Sequence, residues 1–138
     1  MIYADTSVVV PYYVDEPLSE KADRLLRGGA AVSDLVEVEF AAALSRRVRE
    51  KELAREDALR VIALFADNLE RGLFARLALS HRHYQAARTW LQDPHLILRV
   101  PDALHHSLGS TAQEKGATAD RQMYRAARSI GVAAILLA

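Results

Sequence analysis

Apolar positions in this chain fall into short runs separated by longer stretches with helical spacing. Ile2-Tyr3-Ala4 is short and apolar and predicts a buried strand. Val8 to Val14 is apolar but interrupted by Pro11, which predicts a short or kinked helix. Pro17 opens a helix with the apolar stripe Leu18, Ala22, Leu25 and Leu26, and Gly28-Gly29 ends it. Ala30 to Ser33 predicts a second strand, and Asp34 to Lys51 a long helix. Arg55 to Arg71 predicts another, with Ala58, Leu59, Ile62, Phe65, Ala66 and Leu69 at helical spacing and Gly72 as its stop.

The second half continues the alternation. Leu73 to Leu79 predicts a third strand. Ser80 suits the N-cap of a helix carrying Tyr84, Ala87 and Leu91, which Asp93-Pro94 ends. Pro101 suits the first turn of a helix running to about Lys115, with Gly116 past its end. Ala117 to Ala119 predicts a very short strand, Arg121 to Ile130 a helix closed by Gly131, and Val132 to Leu137 the clearest strand of all. Strands alternating with helices predict an α/β fold around a mainly parallel sheet.

Bulk properties narrow the function classes. A chain of 138 residues favours one domain, spanning 1–138, with a proper core. Its 18 basic and 18 acidic side chains give a formal net charge of +0, so any site for a polyanion must be a local patch. Cysteine is absent, which excludes disulfides and thiolate metal sites and fits a reducing cytoplasm. The pattern contains neither a signal peptide nor a run long enough to span a membrane. It also lacks a glycine-rich phosphate loop, which argues against a nucleotide-binding domain.

Four carboxylates stand out against this background. Asp5 ends the first apolar run, Glu39 lies inside Leu35 to Leu44, Asp102 follows Leu96 to Pro101, and Asp120 closes Ala117-Thr118-Ala119. Ligands of parallel α/β sheets bind beyond the carboxyl ends of the strands, and Asp5 and Asp120 occupy such junctions. Asp102 falls in a first helical turn. Glu39 lies about one and a half turns into its helix, on a face shared with Leu35, Ala42 and Ala43 that is expected to point at the core. Unit charges ~4 Å apart repel by about 4 kcal/mol at an effective dielectric near 20. A gathered set of four is therefore a candidate seat for a divalent cation, and hard oxygen donors favour Mg²⁺ or Mn²⁺ over Zn²⁺. Helix capping explains Asp5, Asp102 and Asp120 one at a time, but it does not explain Glu39.

Other polar residues are weighed against simpler roles. His81 and His83 are two apart, share no helical face and read as surface residues. His105, three residues after Asp102, is either a bonding partner of that acid or a structural histidine. Arg46, Arg47, Arg49, Arg121, Arg125 and Arg128 form solvated faces, from which Arg46 and Arg121 are the candidates to meet the phosphates of a polyanion. Val8 to Val14, with Tyr12 and Tyr13, reads as core or as a partner surface.

The acidic positions and their surroundings resemble PIN-domain ribonucleases, and among them the VapC toxins of type II toxin–antitoxin pairs. The matching segments are Ala4-Asp5-Thr6-Ser7, then Ser33-Asp34-Leu35 with Glu39 and Ala43-Leu44, then Pro101-Asp102-Ala103-Leu104-His105, and finally Thr118-Ala119-Asp120-Arg121. The resemblance implies a three-layer helix–sheet–helix domain and a metal-dependent endoribonuclease that blocks translation. It implies that Asp5, Glu39, Asp102 and Asp120 are the catalytic, metal-binding acids, with Asp5 and Asp102 the strongest ligands and Mg²⁺ or Mn²⁺ the cofactor. Thr6, Ser7 and Thr118 then position the acids or meet a phosphate. It further implies a VapB-like antitoxin, an RNA substrate, a homodimer and a toxin–antitoxin hetero-oligomer. The run His106-Ser107-Leu108-Gly109-Ser110 departs from the small apolar residues usual there and predicts a weaker helix. A housekeeping RNA-processing nuclease and a catalytically silent binding module of the same fold stand beside this reading.

Overall fold

A computed structural model describes residues 1–138. Five strands, β1 (Ile2–Ala4), β2 (Ala30–Ser33), β3 (Ala75–Leu77), β4 (Lys115–Thr118) and β5 (Ala134–Leu136), form one sheet in the order β3-β2-β1-β4-β5. All four pairings are parallel. The helices between them are α1 (Thr6–Tyr13), α2 (Ser19–Leu26), α3 (Asp34–Arg49), α4 (Arg55–Glu70), α5 (His81–Leu91), α6 (Val100–Thr111) and α7 (Arg121–Ser129). The predicted α/β class with a parallel sheet holds. None of the helices is long and apolar enough to cross a membrane.

This strand order reverses direction at β1. The chain steps outward from β1 to β2 and β3, then crosses back to β4 and β5. Right-handed crossovers therefore send α1 to α4 to one face and α5 to α7 to the other. The larger apolar cluster joins Val8, Val9, Val32, Val36, Phe40, Leu44, Phe65 and Phe74 on the first face, and Ala87, Ala103 and Leu104 form a smaller one between α5 and α6. Within the first cluster, Tyr12 and Tyr13 of α1 meet Phe40, Phe65 and Phe74 edge-on or tilted at ring separations of 5.3 to 6.1 Å. Val8 to Tyr13 is thus core in this chain, and Pro11 is accommodated in an eight-residue helix.

Several expectations need correction. The helix from Pro101 ends at Thr111 and not near Lys115. Gln113 takes a left-handed backbone, φ 58°, and turns the chain so that Lys115, Gly116 and Ala117 pair with Ile2, Tyr3 and Ala4. The weak apolar signal here belongs to an inner strand flanked on both sides, where pairing supplies what composition lacks. The run His106 to Ser110 lies in continuous helix and is mostly buried, with His106 Nε2 donating to the Met123 carbonyl and Ser107 Oγ to that of Leu104. β3 is only three residues long because its partner β2 ends at Ser33, opposite Leu77. In α4 the buried face is Ala58, Phe65 and Leu69, and Leu59 is 56% exposed, about 100° off that face. In α5 His83 is buried and Tyr84 is exposed, the reverse of the expectation, and the Ser80 N–H donates to His83 Nδ1 at 2.9 Å.

Candidate active site

At the carboxyl ends of β1 and β4 the chain leaves toward opposite faces of the sheet, which opens a crevice at the switch point. Asp5 follows β1 and caps α1, and Asp120 follows β4 and caps α7. Asp102 is the third residue of α6, and Glu39 reaches in from α3. These four acids line one cleft of about 160 Å³, together with Thr6, Ser7, Arg99, His105 and Met123. Residues separated by more than a hundred positions are brought together by sheet order alone.

Asp5 is the most enclosed of the four, at 4% exposure. Its N–H donates to the Ala117 carbonyl at 3.1 Å, which ties it to β4. Its Oδ1 accepts from the Ser7 N–H at 3.0 Å and from Ser7 Oγ at 2.5 Å. Burial pushes the Asp5 carboxyl up, opposed by the neighbouring His105 ring and by bonds from Ser7 and Thr118. Ser7 Oγ also accepts from the Ala119 N–H at 2.7 Å, and Thr118 Oγ1 accepts from the Asp120 N–H at 3.1 Å. Ser7 and Thr118 thus lock the two strand ends that carry Asp5 and Asp120.

Glu39 does not point at the core. The buried face of α3 is Val36, Phe40 and Leu44, Ala42 is exposed, and Glu39 lies half-buried on the flank toward the cleft. Its Oε1 accepts from Thr6 Oγ1 at 2.8 Å and from His105 Nε2 at 2.5 Å. Burial alone would raise its carboxyl, but the bond from His105, the bond from Thr6 and the charge of Arg99 outweigh burial and hold it below the usual range. Its neighbour Glu37 pairs instead with Arg76 on the surface, at 2.8 Å.

Behind Glu39 runs a buried polar chain that the sequence pattern concealed. With hydrogen on His105 Nε2, that nitrogen donates to Glu39, and Nδ1 accepts from Tyr3 Oη at 2.6 Å. Ser33 Oγ donates in turn to Tyr3 Oη at 2.9 Å and accepts from the Val36 N–H at 3.3 Å. Every proton in the chain is used once, from the end of β2 through β1 and α6 to Glu39. No buried side-chain nitrogen or oxygen is left without a partner anywhere in the molecule. Tyr3 could have been suspected from sequence, since a tyrosine in a buried strand needs a partner for its hydroxyl. Ser33 carried a signal only as the first residue of the matching segment Ser33-Asp34-Leu35, and in the structure it caps α3.

Asp102 and Asp120 share a cation. Asp102 is 8% exposed. Arg99, the N-cap residue of α6, donates from Nε to Asp102 Oδ2 at 3.0 Å and from a terminal nitrogen to Asp120 Oδ2 at 3.2 Å. Asp120 Oδ1 accepts from the Gln122 and Met123 N–H groups at 2.8 and 3.2 Å. Arg46 and Arg121, the expected phosphate contacts, are exposed and do not line the cleft. The cation of the cleft is Arg99, detectable in sequence only as a base three residues before an acid. No group of three acidic or histidine side chains is arranged to hold an ion in this conformation. Carboxylates from four elements nonetheless face one cleft, and a guanidinium sits where two of them meet.

The PIN domain family model matches residues 2–129, nearly the whole chain. The chain is a PIN domain. No curated protein sequence matches it. Its fold is similar to that of several solved structures. One is VapBC2 from Rickettsia felis bound to promoter DNA, at TM-score 0.71 and 18% identity, covering 99% of this chain and 98% of that one. Another is VapC20 from Mycobacterium tuberculosis, described as a toxin that cleaves the sarcin-ricin loop, at TM-score 0.70 and 16% identity, covering 91% and 95%. A third is FitAcB from Neisseria gonorrhoeae, at TM-score 0.69 and 18% identity, covering 98% and 96%. At these identities the likeness concerns the fold, and it extends over nine-tenths or more of this PIN domain.

Proposed function

We propose that this PIN domain, a single unit over residues 1–138, is a metal-dependent endoribonuclease and the toxin of a toxin–antitoxin pair. The observation that carries the reading is the convergence of Asp5, Glu39, Asp102 and Asp120, from four separate elements, on one cleft at the switch point of the sheet. Family membership supports nuclease chemistry. The toxin reading draws on structures of the same fold that are described as toxins and toxin–antitoxin complexes. Absence of cysteine agrees with a cytoplasmic setting.

In this reading Asp5 and Asp102 hold Mg²⁺ or Mn²⁺, with Glu39 and Asp120 as further ligands or through water. When bound, the ion supplies Lewis-acid stabilisation of the phosphate charge and lowers the pKa of water. The residues of the chain do the positioning. Ser7 fixes the Asp5 carboxylate through two bonds to one oxygen, and its backbone N–H adds the field of the α1 N-terminus. Thr6 and His105 hold Glu39 ionised and in a single orientation. Hydrolysis then breaks a phosphorus–oxygen bond of RNA by attack of water. A VapB-like antitoxin would occlude the site, as part of a toxin–antitoxin hetero-oligomer built on a homodimer.

The test is cleavage of RNA by purified, partner-free protein in Mg²⁺ or Mn²⁺, with EDTA and Glu39→Gln as controls, alongside growth on expression. Metal-dependent cleavage lost in Glu39→Gln, with growth arrest by wild type only, supports the reading. Equal cleavage by both proteins overturns the site. Cleavage without growth arrest moves the protein to RNA processing, and absence of both cleavage and metal binding makes it a silent module.

A further inference from the structure

Arg99 has a side chain that is 69% exposed, yet its guanidinium is turned inward onto two carboxylates. It touches Asp102 through Oδ2 at 3.0 Å, and through Oδ1 at 3.5 Å, and Asp120 through Oδ2 at 3.2 Å. These are oxygens that a divalent ion bridging Asp102 to its neighbours would need. The planar fork suits a pair of carboxylates, and one positive charge offsets part of the repulsion among four acids. Ion pairs on so exposed a side chain are weak and break readily. The long stem, anchored just outside α6, lets the head leave the cleft without disturbing the fold.

We propose that Arg99 is a built-in counter-cation that competes with the divalent ion for Asp102 and Asp120, and must swing off both before the ion is fully coordinated. The claim rests on the metal-binding reading of the cleft and concerns a residue that reading does not use. It accounts for two features together. The acids tolerate one another in the metal-free chain because Arg99 lies between two of them. With Arg99 across two of them, no three of the acids are arranged around a common point. Displaced, the guanidinium would remain tethered beside the cleft it lines, where its charge can meet an RNA phosphate. Metal loading and substrate contact would then draw on the same side chain in sequence.

The test is Mn²⁺ binding by calorimetry or electron paramagnetic resonance, without RNA, on wild type, Arg99→Gln and Arg99→Lys. The expected result is Mn²⁺ binding tighter by roughly 3- to 10-fold in Arg99→Gln, the size expected when exposed ion pairs no longer have to be broken first. Arg99→Lys, which keeps the charge but loses the fork, should fall between. The metal-free Arg99→Gln protein should also melt below wild type, and added Mn²⁺ should close that gap. If wild type binds Mn²⁺ and Arg99→Gln binds equally or more weakly, the competition is refuted and the metal site stands. If neither protein binds Mn²⁺, the metal reading of the cleft fails, and this inference fails with it.

Discussion

Replacing Tyr3 by Phe removes one oxygen from the buried chain behind Glu39 and nothing else. The ring keeps its volume, so the cavity penalty of a large-to-small change is nearly absent. The loss is one of hydrogen bonding. Tyr3 Oη lies 2.6 Å from His105 Nδ1 and 2.9 Å from Ser33 Oγ, and the three residues are 2%, 4% and 0% exposed. Without it, His105 Nδ1 has no donor and the Ser33 hydroxyl no acceptor, although Ser33 Oγ still accepts from the Val36 N–H. A buried polar group left unpaired costs about 1–3 kcal/mol. Taking ~2 kcal/mol, and about 3–4 °C per kcal/mol for a chain of this size, thermal unfolding should shift down by about 6–8 °C. A double-mutant cycle with Ser33→Ala should show coupling of at least about 0.5 kcal/mol, because each change removes part of what the other needs. Cleavage should fall without being abolished, since His105 is then free to rotate away from Glu39. A midpoint for Tyr3→Phe within about 1 °C of wild type, with additive effects in the cycle, would refute the reasoning.

Other consequences follow from the same geometry. Asp5→Asn should abolish cleavage yet leave the protein as stable as wild type or more so near neutral pH, by urea denaturation. Asn Oδ1 can still accept from Ser7, and burial disfavours the Asp5 charge. Because the folded carboxyl sits above its ordinary value of 3.8, wild type loses stability as pH rises through the folded pKa, and its disadvantage against Asp5→Asn should vanish below about that value. His106 runs the opposite way. Burial pushes its imidazole below 6.5, so the unfolded chain binds the extra proton first, and stability should fall as pH drops below that value. His106→Gln should flatten that limb of the urea-midpoint profile. Phe65, 3% exposed and 4.7 Å ring to ring from Phe40, joins α4 to α1 and α3. Phe65→Ala should cost about 3–5 kcal/mol by the same denaturation assay.

Legibility from sequence differed by level. Hydrophobic spacing placed β2 at its observed bounds and put α3 and α4 within two residues of theirs, because each carries its own caps or stops. It caught only the second half of β4, because Lys115-Gly116 has no strand character of its own and is ordered by β1 and β5 on either side. It also failed on faces. Leu59, Tyr84 and His83 are each close to a helical stripe, and only packing against the neighbouring helix decides which way the stripe turns. All four acids were found as sequence anomalies. Glu39 was found for a partly mistaken reason, since it lies on the flank of α3 and not on the core face. The partners of the acids were harder to read. Arg99, Tyr3 and Ser33 are ordinary residues locally and acquire roles only when the sheet order brings β1, β2, α6 and α7 to one crevice. Arg46 and Arg121 looked like the relevant cations because they neighbour motif residues in the chain, but in the fold both are exposed and neither lines the cleft.

In the proposed function the four carboxylates at the switch point form the seat of a divalent ion. Crystals of the metal-free protein soaked in Mn²⁺, with data collected for anomalous scattering, would locate that ion. A strong peak is expected in the cleft between Asp5 and Asp102, with carboxylate oxygens at about 2.1 Å. A cleft without a peak at saturating Mn²⁺, or peaks confined to surface acids, would contradict that reading.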